Sequence, residues 1–242
     1  MNRSVIDALA PQGVLRAGIN MANFLLVSGQ DPDGMPDGVS PDLARRIAAE
    51  INVPCEMVPY ESPGELADAV GSNSWDIANI AAEAERAQVI DFSLPYAQID
   101  ANFMTRNESG FTCNEEVDQD GVRIAAYDRS AYDLWLTENF TRATMVRSPS
   151  IARSHDDFKN GKAEVLASLK PKLLEEIAAS DSFRIIEPPF TGIKQSVGIR
   201  KGNPEARNFL DRLIAELIHS GFIADSMKKH GVDQKLSIPS AP

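Results

Sequence analysis

The segment WDIANIAAEAERAQVIDFSLPY, residues 75–96, decides the fold. Residues 75–80 read as a strand. Residues 83–88 are charged, and from residue 92 to residue 105 the chain reads as extended, with Pro95 inside it. Toward the N-terminus, residues 14–20 (VLRAGIN) read as a strand and residues 29–38 as a Gly/Pro/Asp-rich loop. Ser40 and Pro41 supply an N-cap and an N1 proline for a helix that places Leu43, Ile47 and Ile51 on one face. Residues 55–59 are a short strand, and Ser62 with Glu65 makes a capping box opening a helix through Val70. Alternating strands and helices imply a mostly parallel sheet covered on both faces.

Past the polar stretch 106–110 the same pattern starts again. Strands are expected at 122–126, 143–146, 163–167 and 184–186, with a brief apolar run at 196–199. Helices are expected at 130–139, capped by Ser130, at 151–160, stopped by Gly161, and at 171–179. A last long helix starts at Pro204, capped by Asn203, carries Leu210, Ile214, Leu217 and Ile218, and stops at Gly221. The chain is therefore α/β, in two units joined by extended connectors near residues 96–105 and 188–196, which serve as hinges. One unit takes residues 1–100 plus 194–242, the other residues 101–193.

Composition bounds the function. The 242 residues are 43% hydrophobic, enough for one large core or two modest ones, and show no fixed-period repeat. A net charge of -11 excludes a nucleic-acid partner, whose phosphates need a basic face. No stretch approaches the ~20 apolar residues of a membrane-inserted helix. The first residues, MNRSVIDALAPQG, hold no continuous apolar run of the signal-peptide kind. Cys55 and Cys113 fall in separate halves, which favours two buried thiols over a disulfide. His155, His219 and His230 have no metal-ligand spacing, and no nucleotide or hydrolase motif occurs, so no cofactor and no metal is expected.

Four segments together carry a family resemblance: GVSPDLARRIAAEINV (38–53), the opening segment 75–96, NGKAEVLAS (160–168), and the stretch from SVGIRKGNPEARNF to the glycine at 231. Over residues 13–232 the chain resembles the type 2 periplasmic-binding fold, in family 3, the branch of polar amino-acid receptors of ABC transporters. The E-R…D-F-S-x-P-Y spacing in 85–96 is the specific signal, and Gly-x-x-x-Asp-Leu alone is weak.

The resemblance implies that Arg86 forks onto a ligand carboxylate, which suits a planar guanidinium. The alternative is a surface arginine paired with Glu83 or Asp91. Five positions upstream, where the family carries a hydroxyl, stands Ala81, and two earlier Asn79 replaces a small residue. Glu83 replaces a threonine and either caps the turn or faces the ligand. In the second unit, the position eight after Gly161, where the resemblance expects an aspartate for the ligand's ammonium, is Leu169, flanked by Ser168 and Lys170. Leucine accepts no hydrogen bond, which points to an organic acid or modified amino acid. Arg129 and Ser130 occupy the turn where helix N–H groups bind anions, the alternative being an exposed loop arginine. Asn23 and Phe24 stand where the family places a stacking aromatic, the alternative being that Phe24 is plain core.

The resemblance implies a non-enzymatic solute-binding protein, a monomer serving an ABC permease in the periplasm. The missing signal leaves a cytoplasmic sensor open. The alternative is an enzyme of the cyclohexadienyl dehydratase kind, whose catalytic glutamate falls near Lys172.

Overall fold

The computed structural model describes residues 3–239. The termini of the sequence-based assignment, 1–2 and 240–242, lie outside the described residues. In chain order the elements are α1 (Arg3–Leu9), β1 (Leu15–Asn20), β2 (Gly29–Gln30), β3 (Pro36–Asp37), α2 (Val39–Glu50), β4 (Cys55–Tyr60), α3 (Pro63–Asp68), β5 (Ile77–Ala81), β6 (Ile90–Phe92) and β7 (Ala97–Arg106). They continue as β8 (Arg123–Tyr127), α4 (Ala131–Asn139), β9 (Thr144–Ser148), α5 (Ile151–Lys159), β10 (Val165–Leu169), α6 (Lys170–Ala179), β11 (Phe183–Arg200), α7 (Pro204–His219) and α8 (Phe222–Lys229). Two compact units emerge: one runs to Gln98 and resumes at Lys194, and the other is Ile99–Ile193. The fold is mixed α/β.

In the first unit the strands run β4-β1-β5-β11, with β6 also on β11. β1 is parallel to both β4 and β5, and β11 closes antiparallel on β5. Leu66, Trp75, Ala78, Ile80 and Ile90 build the core on one face. The indole N–H of Trp75 donates to the Leu66 carbonyl at 3.1 Å, so its buried polar atom is satisfied. Gly18 of β1 makes room for this packing, because a Cβ there would lie 2.5 Å from Leu66 Cδ1. Leu43, Ile47 and Ile51 of α2 are buried along the face their spacing predicts.

The second unit carries β7-β10-β8-β9, with β10 antiparallel to β7 and parallel to β8. Met104, Ala125, Phe158, Ala163, Leu166 and Leu173 form its core on the α5 and α6 side. Four aromatics gather elsewhere in the unit, Phe103 stacking on Phe190 with centroids 4.2 Å apart and Trp135 and Phe140 completing the group.

Three local expectations are corrected. Ser40 does not cap α2: the N-cap is Gly38, at φ 150, where a Cβ would lie 2.4 Å from the Leu26 carbonyl oxygen. The Ser40 hydroxyl instead pairs with Tyr96 at 2.9 Å. Residues 184–186 and 196–199 are not separate strands but parts of the 18-residue β11, which passes through Pro188 and Pro189. Proline removes only its own ladder donor, so a strand whose other groups stay paired continues past it. Cys55 and Cys113 are free thiols, half-buried rather than buried, and partial burial pushes the Cys55 thiol up to about 11.

Candidate functional site

The first-unit candidates lie on β5 and the turn after it, and in the loop leaving β1. Ala81 is the last residue of β5, and its carbonyl accepts the Arg86 Nη1 donor at 3.1 Å. Arg86 stands in a single 3-10 turn, Arg86–Gln88, and is 4% exposed. Glu83 is half-buried, and its carbonyl closes the turn by accepting the Ala87 N–H at 2.9 Å.

Asn79 shares the Ala81 face of β5 and is buried, with neither amide atom hydrogen-bonded among the described residues. Asn23 is committed locally: its Oδ1 accepts the N–H groups of Leu25 and Leu26 at 3.3 and 3.2 Å. That Asx turn shapes the loop leaving β1. Phe24 beside it is half-buried.

In the second unit Ser130 is the N-cap of α4, accepting the Asp133 N–H at 3.2 Å. The Asp133 carboxylate in turn accepts the Arg129 N–H at 2.9 Å and the Arg147 Nε donor at 3.0 Å. Arg129 sits at φ 54, a left-handed turn residue. The chain's own carboxylate thus occupies part of the helix start that sequence reasoning offered to an outside anion. Burial pushes the Asp133 carboxyl above the usual range, against those donors. Sequence reasoning missed Asp133, although Ser130-x-x-Asp133 is a capping signature.

Ser168, fully buried, hydrogen-bonds His155 Nε2 at 3.0 Å, and His155 Nδ1 meets Glu176 at 2.8 Å. Leu169 ends β10 as the N-cap of α6 and is 8% exposed. Lys170 pairs with Glu187 at 2.7 Å, and Glu187 also accepts from Asn102 Nδ2 at 3.1 Å. Lys172, near which the resemblance puts the dehydratase glutamate, pairs with Glu175. The sequence carried no signal for the His155 contacts, which join residues far apart in the chain.

Among the described residues, Asp37, Asp42 and His230 bring ligand-type atoms within 4.8 Å of one another. Lys229 and Arg45 stand on the same carboxylates, so cations of the chain already balance the group. No helix among the described residues is long and apolar enough to cross a membrane.

Several solved structures share the fold. An amino-acid ABC transporter substrate-binding protein from Streptococcus pneumoniae, bound to L-arginine, superposes with a TM-score of 0.74 at 20% identity over 95% of this chain and 99% of its own. A cysteine-binding protein from Campylobacter jejuni gives 0.73 at 20% identity, covering 93% of this chain and 92% of its own. An ancestral amino-acid-binding protein, described as a precursor of cyclohexadienyl dehydratase, gives 0.72 at 21% identity over 93% and 98%. At such identities the likeness is one of fold, the type 2 periplasmic-binding fold. Among curated proteins none matches the sequence. The sequence does match one family over residues 15–233, and on that match the chain belongs to the bacterial extracellular solute-binding proteins, family 3.

Proposed function

We propose that this solute-binding protein holds a small carboxylate-bearing ligand through Arg86 and delivers it to an ABC-type permease. One observation carries the reading: an arginine 4% exposed in the turn after β5, its guanidinium donating to the Ala81 carbonyl. Keeping an arginine out of water is costly, and a bidentate carboxylate returns two charge-assisted hydrogen bonds. The position that the family uses for the ligand's ammonium is Leu169, which accepts no hydrogen bond. We therefore favour an organic acid or a modified amino acid over a standard amino acid. Asn79, Ala81, Glu83, Asn23 and Phe24 accompany Arg86 in this reading, and Arg129, Ser130 and Ser168 accompany Leu169. The protein acts as a monomeric, non-catalytic receptor in the periplasm.

A thermal-shift screen against carboxylates and amines tests the proposal, since a ligand that binds the native state raises its stability. Carboxylates are expected to raise Tm, and Arg86→Ala to abolish the rise. An unchanged rise in that variant would remove the carboxylate clamp. Turnover of a hit would replace the receptor reading with the enzymatic one.

A further inference from the structure

Asn79 is out of keeping with the core around it. It is 2% exposed, and its Nδ2 and Oδ1 are both buried without a hydrogen-bond partner among the described residues. The register puts apolar side chains directly opposite it. Asn79 lies between Ile19 of β1 and Val197 of β11, whose side chains share its face and carry nothing polar. An apolar residue of the same size would relieve the unsatisfied amide, so the position sacrifices stability as it stands. Ala81, two residues along the same face, is the residue whose carbonyl receives Arg86. The unpartnered amide stands in the middle of β5, two residues from the carbonyl that holds the buried Arg86.

We propose that Asn79 is a specificity-determining residue that pairs with a lactam or ureido edge on the ligand whose carboxylate Arg86 takes. The inference rests on that reading of Arg86. A primary amide presents a donor and an acceptor side by side. A carboxylate would satisfy only Nδ2, and an ammonium only Oδ1. A trans secondary amide directs its N–H and C=O to opposite sides. A lactam or a terminal ureido group presents both on one edge and closes a ring of two hydrogen bonds with Asn79. In such a ligand the nitrogen next to the carboxylate is acylated or carbamoylated and bears no charge, so it needs no acidic partner.

The test is calorimetric titration of the full chain with 5-oxoproline and N-carbamoylglycine. Proline and succinate serve as acids without the edge, and 2-pyrrolidinone as the edge without the acid. At least one of the first two is expected to bind more than tenfold tighter than proline and succinate. Asn79→Leu should erase that preference and leave the unliganded Tm no lower. If that variant does not fold, Asn79→Asp, which removes the donor, should show the same loss. Acids with the edge binding no tighter than succinate, or a preference that survives Asn79→Leu, would overturn the inference while an Arg86-dependent succinate affinity kept the carboxylate reading intact. If 2-pyrrolidinone bound as tightly as 5-oxoproline and Arg86→Ala changed neither, the carboxylate reading would fall and the Asn79 pairing would stand. Binding by none of the five would overturn both.

Discussion

His155 stands 3.0 Å from the Ser168 hydroxyl through Nε2, deep in the second unit, with Glu176 2.8 Å from its other nitrogen. The carboxylate can only accept, so Nδ1 carries the ring proton and Nε2 receives the Ser168 hydroxyl hydrogen. Burial lowers the His155 pKa below 6.5, outweighing the pull of Glu176 in the other direction, so the contact is a hydrogen bond of a neutral ring rather than an ion pair. Lys159 and Lys172 add to the lowering.

This arrangement predicts how stability depends on pH. Between the lowered folded value and the ordinary 6.5, the unfolded chain binds a proton that the folded chain refuses. The contribution is therefore complete above that ordinary value and is lost as pH falls through the folded one. Urea midpoints measured from pH 8 to pH 5 should decline in this window for the native protein and stay flatter for His155→Gln. Parallel curves would show that His155 is not the titrating group.

Asp76 should be costly to remove. Its carboxylate takes Arg16 Nη2 at 2.7 Å and Nε at 3.0 Å, plus the Arg16 backbone N–H at 2.9 Å, and its side chain is fully buried. Asp76→Ala leaves that arginine, 12% exposed, without its partner, and a loss of about 2–4 kcal/mol is expected in chemical denaturation. A loss within 0.5 kcal/mol, the range of ordinary surface substitutions, would contradict the pairing.

Gly18→Ala tests the packing of β1 on α3. The added methyl would lie 2.5 Å from Leu66 Cδ1 and 3.3 Å from Trp75 Cγ. Overpacking of this kind costs about 1–3 kcal/mol. Tm should fall, and the double variant Gly18→Ala with Leu66→Ala should show less than the summed loss, because the second change clears the clash.

Ser130→Ala separates capping from ligand contact. As the N-cap of α4 the hydroxyl is worth about 1 kcal/mol. A Tm decrease with unchanged ligand affinity would mean that Ser130 only caps. A larger loss of affinity than of stability would place it against the ligand.

Much of the fold was legible from local chemistry. Ser62, Ser130 and Asn203 cap the helices that their positions announce, each accepting the N–H three residues on. Leu43, Ile47 and Ile51 lie on the buried face that their spacing gives. These features depend on neighbours within a turn or two of the chain. The brief β2–β3 pair and the short α1 escaped notice because two and seven residues hold too little periodicity to register.

What the sequence by itself determined is the order of most of the strands and helices, the family, and the block around Arg86 that singles it out. Periodicity, capping and spacing are short-range properties, and one dimension records them fully. Only the tertiary structure decided what those side chains meet. It buried Arg86 beside the Ala81 carbonyl, gave Ser168 to His155 across 13 residues, and left the Asn79 amide between Ile19 and Val197 without a hydrogen-bond partner among the described residues. Apart from the local Arg86–Ala81 contact, such neighbours come from strands and helices distant in the chain, and a hydrogen bond exists only where folding has brought donor and acceptor within about 3 Å.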